Sequence, residues 1–141
     1  MGYLIDTCIG RDVEQGRLAP GDVASVTGDE PVYLSPVTVA ELKYGAEAAS
    51  EPSVRQRRLA ALRRLLGKPA LPIDVGTGEV FGNVAGAIRA AGRGHRYRVQ
   101  DLWLASQAIQ HGFRLLTRNV RDFEDVPGLD LVRMPEPTPP P

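Results

Sequence analysis

The feature that most constrains this chain lies at its start. Gly2 to Ile5, four residues of strand character, run directly into a single acid, Asp6. Thr7 and Cys8 then open something new. A strand that ends in a carboxylate reads as the central strand of an α/β sheet, and open α/β sheets place their sites at the carboxyl ends of such strands. The alternative is that Asp6 only caps the helix behind it. The two readings separate on whether further acids converge on the same sheet edge.

The rest of the chain alternates. Thr7 or Cys8 begins a helix over roughly Cys8 to Gln15, stopped by Gly16, and a second short helix covers Ala19 to Thr27. Val32 to Leu34 is a second strand. Ser35-Pro36 is a strong helix start, Ser as N-cap and Pro at the first helical position, for a helix from Pro36 to about Ala49. After a break at Pro52, Arg55 to Leu66 is amphipathic, with Leu59, Leu62, Leu65 and Leu66 inward. Leu71 to Val75 reads as a short strand or an extended link. Val80, Phe81, Val84, Ala85 and Ile88 recur at helical spacing up to about Ala91. Val99 to Ile109 is a helix ended by Gly112, Phe113 to Thr117 a strand, and Leu129 to Val132 a short last strand. Strands alternating with helices over short connections predict a parallel sheet with helices on both faces.

At 141 residues the chain suits one domain, read as 1–134, with the proline-rich stretch 135–141 as an extended tail outside the fold. The formal net charge is zero, yet it conceals two basic runs. Ser53 to Lys68 carries Arg55, Arg57, Arg58, Arg63, Arg64 and Lys68 without an acid; Arg89 to Arg98 carries four Arg, among them Arg93 and Arg96, and His95. Either they bind a polyanion or they are solvated helix faces. The single cysteine excludes an internal disulfide framework and fits a reducing cytoplasm. Met1 is followed by a strand-like run rather than by a basic and then an apolar segment, so no signal peptide is expected. No apolar run approaches the roughly 20 residues of a membrane span.

Three acids have comparable addresses. Asp6 ends a strand. Glu41 lies four after Val37 and three before Tyr44, and so shares a face with apolar Val37, Ala40 and Tyr44 on the helix after a strand. Asp101 opens a helix and precedes Leu104, Ala105 and Ala108 at spacings of three, four and seven. Asn119 and Asp122 follow the next strand. Carboxylates gathered on one edge would hold protons unless a cation neutralises them. All-oxygen ligands select hard cations, Mg²⁺ or Mn²⁺, which can activate water and stabilise charge on a phosphoryl oxygen. His95 and His111 stand alone, without zinc-type spacing.

The blocks Tyr-Leu-Ile-Asp6-Thr, Ser35-Pro-Val-Thr-Val-Ala-Glu41-Leu-x-Tyr-Gly45, Asp101-Leu-Trp-Leu-Ala-Ser and Leu115-Leu-Thr-Arg-Asn119-x-x-Asp122-Phe together resemble the PIN domain, and within it the VapC toxin ribonucleases of bacterial toxin–antitoxin pairs. The resemblance spans Gly2 to Val132. It implies a three-layer α/β/α fold around a central, mainly parallel sheet. It implies Asp6, Glu41 and Asp101 as the metal-binding acids, Asn119 where many members carry a fourth acid, and Asp122 as a nearby acid. Thr7, Cys8 and Thr117 would line the site. It further implies a Mg²⁺- or Mn²⁺-dependent ribonuclease that cuts RNA, often a tRNA or a ribosomal loop, as a homodimer silenced by a VapB-type antitoxin. Cys8 is a departure, since the family usually has Asn or Ser there.

Other assignments fit less well. A receiver-type phosphoacceptor domain needs a Lys after a late strand, and the chain has only Lys43 and Lys68. A dinucleotide-binding domain needs Gly-x-Gly-x-x-Gly after the first strand, where this chain has Asp-Thr-Cys-Ile-Gly. A catalytically weak PIN-like RNA-binding scaffold stays open.

Overall fold

A computed structural model describes residues 1–94 and 98–136. Arg96 and most of the proline-rich stretch lie outside the described residues. The elements are β1 (Tyr3–Ile5), α1 (Thr7–Glu14), α2 (Pro20–Thr27), β2 (Val32–Tyr33), α3 (Pro36–Glu47), α4 (Pro52–Leu65), α5 (Val75–Ala90), α6 (Val99–His111), β3 (Arg114–Thr117), a 3-10 turn (Val120–Asp122) and β4 (Asp130–Arg133). The strands form a four-stranded sheet in the order β2-β1-β3-β4, and every pairing is parallel.

The sheet is buried on both faces, as parallel sheets are, and successive residues show it. Tyr3 and Ile5 of β1 pack with Ile9, Val23, Leu34 and Leu65 under α1, α2 and α4. Leu4, between them, packs with Val84, Ile88, Leu102, Leu104 and Ala108 under α5 and α6. In β3, Leu115 faces the second cluster and Leu116 the first. The period of two along each strand thus sorts side chains into the two helical layers.

Strand order reverses at β1. The chain leaves β1 for β2 on one side, then returns to place β3 on the other. That is the switch point at which open α/β sheets form a crevice beyond their strand ends, and Asp6 and Thr117 stand at the ends of these two central strands.

Of the two readings of the stretch from Leu71, the extended link holds over Leu71 to Asp74, and only an isolated bridge, Leu34 to Ala70, extends the edge. Three details differ from the sequence reading. Val75 already belongs to α5, because Asp74 and Thr77 form a reciprocal capping box that starts the helix five residues before Val80. In α3 the inward face is turned. Ala40 and Tyr44 are exposed, while Thr38 and Ala46 are fully buried. In α4, Leu66 is exposed and Ala61 is buried with Leu62 and Leu65. At the close contacts between helices small side chains are buried, Ala46 of α3 and Ala61 of α4, while the larger Tyr44 and Leu66 stay outside. Gly10 of α1 is an instance, since a Cβ there would sit 3.0 Å from Leu42 Cδ1 of α3. No helix among the described residues is long and apolar enough to cross a membrane.

Candidate functional site

Asp6 both caps α1 and faces the sheet edge, so the two readings of it are not alternatives. Its side chain is buried. The Thr7 amide donates to Oδ1 at 2.7 Å, the Thr117 hydroxyl to Oδ2 at 2.8 Å, and the Cys8 thiol to Oδ2 at 3.3 Å. Three donors from two elements fix one carboxylate. Burial, and then the charge of Asp6, push the Cys8 thiol up to about 11. It therefore stays protonated and donating to Asp6.

Glu41 reaches the same edge from α3. The Thr7 hydroxyl donates to its Oε1 at 3.2 Å, and Arg11 Nη2 donates to its Oε2 at 3.4 Å. Thr7 Oγ1 also lies 3.1 Å from Thr38 Oγ1. Burial raises the Glu41 carboxyl above its ordinary value and Asp6 adds to the rise, while Thr7 and Arg11 oppose it.

Asp101 is half-buried in the first turn of α6. Burial pushes its carboxyl up to about 6, reinforced by the charges of Asp6, Asp122 and Glu41 and opposed by Arg98. Three other acids therefore lie within electrostatic reach of Asp101, and one of them, Asp6, also acts on Glu41. Asp122 and Asn119 are exposed. They flank the 3-10 turn, whose backbone bond runs from the Asp122 amide to the Asn119 carbonyl at 3.0 Å. The Asn119 amide donates to Thr117 Oγ1 at 3.0 Å.

The surroundings are tied down by ion pairs that the sequence did not announce. Arg98 holds Asp125 through two bonds of 2.7 and 2.6 Å and donates to the Asp122 carbonyl at 2.7 Å. Arg93, expected to contact RNA, is well exposed but pairs with Asp125 at 3.2 Å. Asp12 of α1 is buried against Arg118, the residue after Thr117. Arg118 Nη2 donates to Oδ1 at 3.1 Å, while Nε stands 2.5 Å from Oδ2 out of hydrogen-bond alignment. Thr38, three residues before Glu41 on α3, could have been found from that spacing; Asp12, on α1 four after Cys8, could have been found from its inward register.

The donor set suits a hard cation: carboxylate oxygens that repel one another at a sheet edge. The packing is looser than a closed ligand cage, because among the described residues no three His, Cys, Asp or Glu side chains are gathered tightly enough to hold a metal ion by themselves. A Mg²⁺-type ion does not require such a cage, since it keeps several waters and takes one or two carboxylates directly.

A PIN domain model matches residues 3–129. The chain is 30% identical to Ribonuclease VapC5 of Mycobacterium tuberculosis over 130 residues, which cover 89% of this chain and 87% of that protein. It is 26% identical to Ribonuclease VapC1 of Rickettsia felis over 137 residues, covering 94% and 96%. Among solved structures, its fold resembles a chain of the Rickettsia felis VapBC2 complex bound to promoter DNA, with a TM-score of 0.80 at 20% identity over 94% of this chain and 98% of that one. It also resembles a chain of Mycobacterium tuberculosis VapBC-5, with a TM-score of 0.73 at 25% identity, over 94% and 98%.

Proposed function

Because the chain belongs to the PIN domain family, on its VapC branch, we propose that it is a Mg²⁺- or Mn²⁺-dependent endoribonuclease, the toxin of a toxin–antitoxin pair. The observation that carries this is the proximity of Asp6, Glu41 and Asp101 near the switch point: Thr7 bonds both Asp6 and Glu41, and the charges of Asp6 and Glu41 raise the proton affinity of Asp101 against the partial opposition of Arg98. A bound divalent ion would polarise the scissile phosphate and supply a water acidic enough to attack it.

The chain's own residues set the geometry. Thr7, Cys8 and Thr117 lock the Asp6 carboxylate in one orientation. Thr7 also links Asp6 to Glu41 across α1 and α3. Asp101, whose carboxyl is raised to about 6, would be one of the carboxylates holding the ion, and a bound cation would favour its ionised form. Asp122 and Asn119, both exposed, would stand outside these three and help to order water around the ion. RNA is the substrate, of tRNA or ribosomal type, and Arg93 and Arg96 help to hold its phosphates. A VapB-type antitoxin silences the site with a basic side chain, since Arg pairs with carboxylates bidentately. The protein works in the cytoplasm as a homodimer. The naming of relatives as VapC ribonucleases, and of solved relatives as VapBC complexes, supports these partners.

A second reading, a PIN-fold RNA-binding scaffold with weak catalysis, is favoured by one observation: among the described residues no three His, Cys, Asp or Glu side chains are close enough together to hold a metal ion by themselves. RNA incubated with the purified protein separates the two. The nuclease cuts with Mg²⁺ or Mn²⁺ and not with EDTA; the scaffold binds RNA equally in both and cuts in neither.

A further inference from the structure

A groove of about 280 Å³ opens between α1, α3 and α4, with Arg11, Glu14, Glu41, Tyr44 and Arg58 among its lining residues. Glu41 belongs both to this groove and to the acidic edge, so the two are continuous. Its volume falls just below that of a site for a drug-sized ligand and suits a single flat ring.

Glu14 ends α1. Its side chain is only 8% exposed, and its Oε1 is buried without a hydrogen-bond partner. Arg58 Nε at 3.6 Å and Arg57 Nε at 3.7 Å offset its charge, but neither donates to it. Arg58 instead donates Nη1 to the Gly45 carbonyl at 2.8 Å. A buried carboxylate oxygen whose charge is paired but which accepts no aligned hydrogen bond is incompletely satisfied, so a donor supplied by a ligand would stabilise it. Tyr44, three residues after Glu41, is 75% exposed, a large ring packed on nothing. Arg11, three residues before Glu14, is 57% exposed and already turned to Glu41.

We propose that this groove is the specificity pocket of the ribonuclease, and that it takes one unstacked guanine of single-stranded RNA. The idea rests on the ribonuclease reading of the adjoining acids. Single-stranded RNA is read by splaying a base onto an aromatic ring and bonding its Watson–Crick edge. Glu14 supplies an acceptor-only edge and Tyr44 the ring. Guanine alone presents two adjacent donors there, N1–H and the N2 amino group, to match two carboxylate oxygens. Adenine and cytosine offer one amino group beside an acceptor that a carboxylate repels. Uracil offers one N–H flanked by two carbonyls. Arg11, between the base site and Glu41, meets the phosphate that passes from the groove to the acids.

The test is binding of the pentanucleotides UUGUU, UUIUU and UUAUU, where I is inosine, to the full chain in EDTA, so that nothing is cut. The wild type should bind UUGUU about tenfold or more tighter than UUAUU, the scale of one bidentate base contact. Inosine, which keeps N1–H and lacks the amino group, should fall between. Glu14→Gln should abolish the guanine preference, chiefly by weakening the binding of UUGUU. Tyr44→Ala, at an exposed position, should weaken all three alike. Should Glu14→Gln lose its circular dichroism, Glu14→Asp, which keeps the charge and withdraws it from the base, should lower the guanine preference in a folded protein. Equal affinity of the wild type for UUGUU and UUAUU overturns the proposal, as does a guanine preference that survives in folded Glu14→Gln. Loss of a co-purifying protein from Glu14→Gln, with no discrimination among oligonucleotides, overturns it in favour of a protein side chain in the groove. Guanine-selective binding without any cleavage in Mg²⁺ sinks the ribonuclease reading alone; cleavage indifferent to guanine sinks the pocket alone.

Discussion

The acidic edge has two unlike halves. On one side Asp6 is buried and takes three hydrogen bonds, two from α1 and one from β3. On the other, Asn119 and Asp122 are exposed and stand on a single 3-10 turn. The first half is placed by the core: moving Asp6 would disturb β1, whose residues are among the most buried in the chain. The second is placed by a loop, and what holds the loop is peripheral, chiefly Arg98 gripping Asp125 and the Asp122 carbonyl. A site can thus be rigid where charge must be fixed and adjustable where a substrate enters. Thr117 joins the halves, since its hydroxyl donates to Asp6 and accepts from the Asn119 amide.

The largest effects should come from the rigid half and from Asp101 beside it. Asp6→Asn and Asp101→Asn should each lower RNA cleavage by orders of magnitude with the fold intact, and full activity in either would remove that residue from the metal set. The two should differ in stability. The folded-state carboxyl of Asp101 is raised to about 6, mainly by burial and then by neighbouring acids. Between the unfolded value and about 6 the folded protein binds more protons than the unfolded one, so stability falls as pH rises through that window. Asp101→Asn removes this loss. In EDTA at pH 8 it should melt higher than wild type, and the gap should close by pH 4. A melting curve with no such gap would mean that Asp101 is better solvated than its burial suggests.

Next in size is the joint between the halves. Thr117→Val removes a 2.8 Å bond to Asp6 and leaves a buried carboxylate oxygen with only the weaker thiol donor. Loss of such a supporting bond typically lowers activity or metal affinity by about 10–100-fold. Thr117→Ser, which restores the hydroxyl, should recover most of it. If valine and serine behave alike, the side chain matters for packing and not for orienting Asp6.

The rigid half was the legible one. Gly2 to Asp6 could be read as strand then acid because a buried parallel strand must be apolar throughout, and a carboxylate breaking that run needs a reason. Asp101 is legible by its register with Leu104, Ala105 and Ala108, apolar residues that α6 buries, although the same helix also buries Ser106 and Gln107. Glu41 was placed correctly on a helix whose inward face was misjudged, because Ala40 and Tyr44 lie outside and Thr38 and Ala46 inside. Hydrophobicity predicts which residues can be buried, not which neighbours leave room for them. The start of α5 was hidden by Gly76 and Gly78, which weaken a helix locally; the Asp74–Thr77 cap outweighs them. The pairs Asp12–Arg118 and Arg98–Asp125 span 106 and 27 residues. Charges paired across such distances carry no periodic signal along the chain.

The exposed half should give smaller effects. Asp122 is close enough to raise the carboxyl of Asp101 and is exposed to water. Asp122→Asn should therefore weaken catalysis less than Asp6→Asn, by roughly 10–100-fold, as for groups that act on bound water. The competing view is that Asp122 only orders its turn. A lower melting temperature with an unchanged cleavage rate would establish that view.

The smallest effect is expected at Asn119, and it has the opposite sign. The residue is neutral and exposed, its backbone held by Thr117 through a 3.0 Å bond. As a ligand it could offer one carbonyl oxygen and no charge. Asn119→Asp keeps the size of the side chain and adds a negative charge at the head of the turn that carries Asp122, whose charge already helps to raise Asp101. Without a cation the added repulsion should lower the melting temperature in EDTA. With one, the same charge becomes attraction, so the Mg²⁺ concentration for half-maximal cleavage should fall. The two shifts have one cause and should disappear together in high salt, where charges at an exposed position are screened. A metal titration of activity, run beside melting curves with and without EDTA, measures both. Unchanged metal affinity would show that Asn119 faces away from the ion, and that the loop half of the site serves the RNA rather than the metal.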